Sequence, residues 1–448
     1  MLRPPQRIVG EQPAGAVGEG GVIGRDKAGF AIDHALADRA EILHHGGNSH
    51  RLRLADRQAK GFFGVATVKH RPRGAQLPDQ LGLRHRAAQP DADVVHGLGA
   101  RQHSIHDVFF TGTDAAVSGG AEAFFTRLVL ALNRAGLEQR VIIRKNARRV
   151  EVLRADGIEP VELAFGGLLD WTTPSALKRE IAEFRPDVVL TWMNRASVMC
   201  PEGEFVHVGR MGGYYDLKYY QKCDHLIGNT QDIVDNLVAQ GWPADRAHYL
   251  PNFVTQQKML PLPRKQFYTP EGAPLVLGMG RLHENKAFDV LLKAVARVPN
   301  VYLWIAGEGP LRRELEALAE KLAVKPRVRF MGWREDTAAL LATADIFVCP
   351  SRLEPLGNVV IEAWAHGMPV IATDSYGPGT LIEHRESGIL VPVDDWQTLG
   401  RAIRNLLEDD NLRNHIARRG RQMYEESFTE EKVVGQYMEF LKTVAEKR

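Results

Sequence analysis

The sequence predicts an α/β protein built on parallel sheets, and three observations carry that expectation. Residues 345–374, DIFVCPSRLEPLGNVVIEAWAHGMPVIATD, read as strand, loop, helix, strand: an apolar run at 346–349, a Pro-Ser-Arg turn, a Gly357-Asn358 entry into an amphipathic segment, and a second apolar run at 369–372. Parallel strands need such a crossover, because a tight hairpin joins only antiparallel ones. The same alternation recurs on both sides of this stretch, and 448 residues with 44% hydrophobic and 25% charged content suffice for two such domains and something further.

Composition narrows the function classes. A net charge of +2 makes no case for nucleic acid as a partner. Three cysteines, Cys200, Cys223 and Cys349, have no metal-ligand spacing, and their odd number argues against a disulfide framework. A reducing, cytoplasmic setting is expected, with Cys349 a small core residue of its strand. No apolar run approaches the roughly 20 residues that span a bilayer, and the N-terminus lacks the continuous apolar core of a signal peptide.

Residues 1–105 read differently from the rest. Histidine is crowded, arginine far outnumbers lysine, and neither the helical nor the strand period persists. GFFGVATV, at 61–68, is a short candidate strand with nothing to pair with. His44, His45 and His50 could share a metal, or the segment could be a basic arm for anionic lipid or nucleic acid, but no cysteine or carboxylate arrangement supports a metal site. The expectation is an extension without function, disordered or non-native. Its Arg, Ala, Gly, His and Pro mixture is what an upstream start codon or a wrong-frame read of GC-rich DNA produces.

From His106 the elements follow in order. HDVFFTGT is a first strand, and DAAVSGGAE (114–122) is a loop into an apolar-periodic helix at 121–135. Gly119 and Gly120 let a ligand approach the backbone where that helix opens; an ordinary N-cap by Ser118 beside flexible glycines is the alternative. Strands follow at 139–144, around Val161 and at 187–191, with a helix at 174–183, and WMNRAS (192–197) is a loop at a strand's carboxyl end. In the next strand, 204–208, His207 is either a satisfied structural residue or a functional one. Tyr214, Tyr215, Tyr219 and Tyr220, interleaved with Lys218 and Lys222, fit an interfacial patch for a lipid-linked ligand or a core-packing helix with a solvated basic side. DHLIGNTQDIVDNL (224–237) is a strand, a turn at Asn229-Thr230 and a helix. Prolines at 261, 263 and 270 and weak periodicity mark a linker over 256–273.

The second domain opens with a strand at 275–279, then Gly280, Arg281 and Lys286. Two cations at a strand end suit a diphosphate whose charge grows as a bond to it breaks. A helix at 287–296, a strand at 302–306, the turn GEGP with Gly309, a strand at 327–330 and the turn MGWR lead to the central stretch; Trp333 is expected to pack rather than to stack on a ligand. There Glu354 lies in the loop after a strand and Glu362 about two turns into the following helix, at the edge where open α/β sheets bind ligands. Amides of Gly357, Asn358 and Val359 would attract a phosphate. Glu362 could accept two hydrogen bonds from a ribose diol, and Glu354 would face whatever the phosphate carries. YGPGTLIE (376–383), GILVP (388–392) and an amphipathic helix at about 430–447 complete the chain. No DxD stands at a strand end, and Asp394-Asp395 reads as a helix cap, so no metal requirement is expected.

Glu354 and Glu362, seven residues apart within LEPLGNVVIEAWAHGMPVIATD, resemble the E-x7-E signature of retaining glycosyltransferases with the GT-B fold, glycosyltransferase family 4 in particular. The resemblance runs from about residue 108 to the C-terminus and is most specific over 280–392. It implies two doubly wound, Rossmann-like domains facing a cleft, 106–255 on the acceptor side and 274–428 on the donor side, with a helix at 429–448 crossing back to the first. The donor is then a nucleotide sugar, with no further cofactor and no metal. Gly119 and Gly120 border its diphosphate and the acceptor; Arg281, Lys286 and the amides after Gly357 hold the leaving-group charge; the turns at Gly309 and MGWR border the base. Glu354 binds the donor sugar and stabilises positive charge at its anomeric carbon, while Glu362 holds the ribose. Many members place a functional His near the donor sugar, which would be His207. The departing phosphate deprotonates the acceptor on the same face, so the two carboxylates are not the acid and base of a hydrolase. Members usually follow the Lys with Gly, where this chain has Ala287. HVGRMGGYYDLKYYQKCDHLIGNT with GRLHENKAFDVLL looks closest to bacterial enzymes of lipopolysaccharide core or other surface glycans. That implies a glycan or lipid-linked acceptor and peripheral contact with the cytoplasmic face of the inner membrane. Epimerisation or phosphorolysis of a nucleotide sugar, and binding without catalysis, are the alternatives on this fold. A dinucleotide oxidoreductase is disfavoured because no G-x-G-x-x-G follows the first strand.

Overall fold

The computed structural model describes residues 106–111, 120–166 and 170–447. Ser118, Gly119 and everything expected of residues 1–105 lie outside them.

Two parallel sheets organise the described residues. The first contains β1 (His106–Thr111), β2 (Glu138–Arg144), β3 (Val161–Leu163), β4 (Val188–Trp192), β5 (Val206–Met211), β6 (His225–Gly228) and β7 (Ala247–Tyr249), in the order β3-β2-β1-β4-β5-β6-β7. The second contains β8 (Leu275–Met279), β9 (Tyr302–Ala306), β10 (Val328–Gly332), β11 (Ile346–Cys349), β12 (Val370–Thr373) and β13 (Ile389–Val391), in the order β10-β9-β8-β11-β12-β13. All named pairings are parallel. Each sheet winds outward and then reverses, between β1 and β4 in the first and between β8 and β11 in the second. Both are doubly wound, as expected, and each has a switch point where strand order leaves a crevice. Burial on both faces explains the unbroken apolar runs of β4, β8, β11 and β12, whose residues are all buried.

The helices of the first half are α1 (Gly120–Arg134), α2 (Ala147–Ala155), α3 (Thr172–Phe184), α4 (Met193–Met199) and α5 (Gln231–Ala239). Those after β8 are α6 (Phe288–Val295), α7 (Arg312–Lys321), α8 (Thr337–Thr343), α9 (Asn358–Ala365), α10 (Tyr376–Leu381), α11 (Trp396–Glu408), α12 (Asp410–Ser427) and α13 (Glu430–Glu446). Side-chain caps fix several starts: Asn146 accepts from the Arg149 amide at 3.0 Å, Thr230 from Ile233 at 3.2 Å, and Asp395 from Thr398 at 2.9 Å. WMNRAS, expected as a loop, is instead mostly α4, which opens without a side-chain cap at Met193, a residue with φ of 66°. Strand β5 begins later than expected and runs on through Gly209 and Arg210.

The last helix crosses back. Val433, Val434, Tyr437, Leu441 and Val444 of α13 share a core with Phe124, Leu128 and Leu132 of α1 and with Val188 and Leu190 of β4. Their spacing is one helical stripe, and each fully buried aliphatic side chain contributes about 1.5–3 kcal/mol of transfer free energy.

The tyrosine segment resolves toward packing. Tyr220 is fully buried with Met211, Leu226 and Ile233, and Tyr214, Tyr215 and Tyr219 lean on the same cluster, leaving Lys218 and Lys222 in solvent. It is a short 3₁₀ turn within loops rather than the expected helix.

Besides the contacts of the crossover helix, the halves meet at strand ends. Asn252, after β7, bonds Asn358 at 3.1 Å; Arg148, after β2, pairs with Glu335, after β10, at 2.7 Å; and Tyr214, after β5, stacks on Tyr376, after β12, with ring centroids 5.2 Å apart. Each of these partners follows a strand's carboxyl end, so the two sheets turn those edges toward one another and enclose a cleft.

Candidate active site

The switch point of the second sheet gathers most of the expected charges. Loops following β8 and β11, the two strands that flank it, are bonded together: Arg352 and Leu353 amides donate to the Asn285 carbonyl at 2.8 and 3.2 Å. The Arg352 guanidinium reaches the Glu284 carbonyl at 2.8 Å, Asp289 at 2.9 Å and Asp394 at 2.6 Å. This clamp holds Lys286 beside Glu354, and the ammonium donates to Glu354 Oε2. Glu354 Oε1 accepts from the Gly357 amide at 3.3 Å, and its main-chain carbonyl accepts from Gly377 at 2.8 Å.

One buried carboxylate thus bridges a lysine and the opening of α9. Burial pulls the Lys286 ammonium down, but the charge of Glu354, with Cys349 and Glu362 nearby, leaves it above the ordinary lysine value. Of the three amides expected to face a phosphate, that of Gly357 is engaged by Glu354; those of Asn358 and Val359 are the open donors at the helix start. Gly357 turns the chain there with φ of 85°, a conformation that suits glycine. Arg281 is exposed and carries no ion pair among the described residues.

Glu362 stands one helical turn deeper than Asn358, half-buried. Burial raises its carboxyl above the usual range, with Glu354 adding to the effect and Arg127, His366 and Lys286 opposing it. Arg127 comes from α1 of the first half. Its Nε is buried without a hydrogen-bond partner, and burial lowers its guanidinium while Glu362 and Glu430 pull the other way. Sequence reading missed Arg127; its signal, a cation on the inner stripe of α1, is visible only once α1 is seen facing α9.

Gly309 packs the turn after β9 against the loop that follows β8. A side chain there would lie 2.3 Å from the Leu282 carbonyl oxygen, and one at Gly307 only 1.9 Å from that of Gly280. The turn after β9 is therefore pressed against the Arg281 loop, and the amide of Leu282 donates to Glu308 at 3.0 Å. Ala287 adopts φ of 50°, the left-handed region where glycine is favoured. Trp333 is 59% exposed beside the turn, where packing was expected.

Gly120 begins α1, on the cleft side of β1. His207 is not brought to the charge cluster. It is the second residue of β5, toward the amino end, and 4% exposed. Its Nδ1–H donates to the Lys222 carbonyl at 3.0 Å, which leaves Nε2 as acceptor 3.1 Å from the Thr191 hydroxyl. Burial lowers its pKa to about 4, so the ring is neutral and its nitrogens are internally bonded.

Among the described residues no three His, Cys, Asp or Glu side chains gather as a metal site, and no helix is long and apolar enough to cross a membrane.

Comparison with known proteins agrees with this geometry. Residues 118–258 match the family described as Glycosyltransferase Family 4, and residues 262–423 match Glycosyl transferases group 1. Two relatives from Rhizobium meliloti (strain 1021) are similar over nearly their whole length. The lipopolysaccharide core biosynthesis glycosyltransferase LpsE is 37% identical over 72% of this chain and 96% of its own, and LpsD is 35% identical over 74% and 97%. The Anabaena protein HepE in complex with UDP superposes with a TM-score of 0.66 at 21% identity, over 76% of this chain and all of that one, a likeness that shows the GT-B fold.

Proposed function

The chain belongs to glycosyltransferase family 4, and from that premise we propose that it transfers a sugar from a nucleotide-sugar donor, with retention and without a metal, to a glycan or lipid-linked acceptor of lipopolysaccharide core or another surface glycan. The observation that carries the reading is the Lys286–Glu354–Gly357 bridge at the switch point of the second sheet, beside the open amides of α9 and the unpaired Arg281.

In this reading the donor diphosphate takes the amides of Asn358 and Val359, Arg281 and Lys286. The charge appearing on the departing phosphate is then met by fixed donors, which takes the place of a divalent cation. Lys286 turns from Glu354 to phosphate, and Glu354 is released toward the sugar as its anomeric carbon becomes positive. Glu362 accepts from the ribose hydroxyls. The leaving phosphate takes the acceptor proton on the face it departs from, which retains configuration. UDP in the Anabaena neighbour, and the names of the Rhizobium relatives, support a nucleotide donor and a core-glycan acceptor. A lipid-linked acceptor would bring the protein to the cytoplasmic face of the inner membrane.

Thermal stabilisation across UDP, GDP, ADP and their sugar conjugates tests the donor site: a nucleotide at about 100 times its dissociation constant adds about 2.7 kcal/mol if it binds only the folded state. Turnover on lipid A-core acceptors, the anomeric configuration of the product and activity in excess EDTA test the remainder. No stabilisation by any nucleotide in a folded sample overturns the reading. Turnover on a soluble small molecule, with none on lipid A or polyprenyl-linked acceptors, overturns the acceptor class.

A further inference from the structure

Arg210, at the carboxyl end of β5, is a buried cation whose hydrogen-bond partners are all neutral. It is 1% exposed and lies between two aromatic rings, 4.3 Å from the Trp192 centroid and 4.8 Å from that of Phe124. Its Nε donates to Tyr437 Oη of α13 at 3.0 Å, and its Nη2 donates to Asn252 Oδ1. Asn252, itself 2% exposed, donates from Nδ2 to Asn358 Oδ1 at 3.1 Å. The chain of contacts runs from the crossover helix through the first sheet to the first residue of α9.

The polarity of this chain is imposed from one end. A guanidinium has no acceptor, so Asn252 must turn its oxygen to Arg210 and its NH₂ to Asn358. Asn358 must then answer with its oxygen. Its own NH₂ is left without a partner among the described residues, at the helix end where the amides of Asn358 and Val359 are open. Reversing either amide would set N–H against N–H or carbonyl against carbonyl inside a buried network, where each unmade bond costs about 1–3 kcal/mol.

We propose that Arg210 and Asn252 are positioning residues for the donor, which hold the Asn358 side-chain NH₂ toward the diphosphate and so couple nucleotide binding to the docking of the first domain and crossover helix on α9. The inference rests on the donor site described above and adds a group that belongs to neither the main-chain amides nor the two cations. Asn358 contacts ligand, and Asn252 and Arg210 act through it.

Asn252→Asp separates this from a merely structural contact, because the two roles move stability and affinity in opposite directions. An aspartate still accepts from Arg210, now with charge, but has no N–H for Asn358, whose NH₂ then turns inward to the new carboxylate. The expected result is a melting temperature equal to or above wild type together with an affinity for UDP, GDP or ADP lowered about tenfold, whichever of the three the wild type binds. Asn358→Ala, at a half-buried position with no core role, should lose affinity by a similar factor, and the double variant should be no weaker than Asn358→Ala alone. If the wild type binds a nucleotide and either variant binds it equally well, the relay falls while the donor site stands. If Asn252→Asp weakens binding further in the Asn358→Ala background, the added charge is responsible and the relay again falls. Absence of nucleotide binding in the wild type removes both.

Discussion

The two sheets share one winding and face each other, yet their inner edges are made differently. In the second, loops after β8, β9 and β11 are locked backbone to backbone, by Leu282 to Glu308, by Arg352 and Leu353 to Asn285, and by glycines pressed on carbonyls. Free charge stands on that rigid frame. In the first, the edge is filled by side chains: Arg210 between Trp192 and Phe124, and Tyr220 in an aromatic cluster. A diphosphate presents the same oxygens in every nucleotide, so an edge built for it can be rigid and short-range. If, as proposed, the first edge meets the acceptor, it has no such constant to match.

The sharpest way to break the comparison is to remove charge from the second edge. Lys286→Met should lower kcat by on the order of 100- to 1000-fold, as loss of one fixed donor to a developing negative charge does. It also strands the Glu354 carboxylate, which is 8% exposed, so stability should fall as well. Steady-state kinetics beside a denaturation curve separates the two effects; a kcat within threefold of wild type would show that this edge is not where charge develops.

Next in size is the frame itself. Gly307→Ala sets a methyl group 1.9 Å from the Gly280 carbonyl oxygen at a φ of 146°. Two backbones must separate, and about 3 kcal/mol of stability should be lost, read by chemical denaturation. A loss under about 1 kcal/mol would mean that these loops yield, and the contrast between a rigid and a packed edge would be much weaker.

That contrast also explains what was legible. Arg281, Lys286 and Glu354 could be found because each sits a few residues past an apolar run, and a strand end followed by a charge is a local signal; Glu362 was found by its spacing from Glu354 along the following helix. The pairing of Lys286 with Glu354 spans 68 positions, Asn252 with Asn358 spans 106, and Arg210 with Tyr437 spans 227, so none has a local signature. Helix α4 was read as a loop because it is seven residues long, uncapped and entered through a positive φ. Trp333 was expected to pack, on the general tendency of tryptophan, and stands exposed because it belongs to a turn beyond β10 rather than to a face of the sheet. Parallel α/β sheets were legible from alternation alone, whereas the doubly wound order of both halves was expected only from the family resemblance.

A smaller effect tests the first sheet, away from that edge, as a region of stability. Burial lowers His207 from 6.5 to about 4, so between those values the unfolded chain takes up a proton that the folded one refuses. The contribution is present in full above pH 6.5 and is lost as pH falls toward 4, about 2 kcal/mol of it by pH 5. Denaturation at pH 7.5 and pH 5 should show this loss in wild type and a loss about 2 kcal/mol smaller in His207→Asn. Equal losses in the two proteins would mean that the ring titrates freely and is not sealed in the sheet.

The smallest effect falls where the second edge departs from its own rule. Ala287 follows Lys286 with φ of 50° and ψ of 38°, and the residue is 1% exposed, so it is both strained and packed. A left-handed L-residue costs about 1–2 kcal/mol relative to glycine. Glycine gives part of that back through the greater freedom of its unfolded chain, about 0.5–1 kcal/mol. The two terms leave Ala287→Gly a net gain of up to about 1 kcal/mol, reduced by the loss of one buried methyl. What decides the case is the Lys286 ammonium. If Ala287 serves to stiffen the turn that aims Lys286 at Glu354, the glycine variant should be slightly more stable yet bind nucleotide less tightly, by about two- to threefold. Stability and affinity rising together would mean that the alanine is only a tolerated strain, and that the rigidity of this edge comes from the Arg352 clamp and the glycine contacts alone.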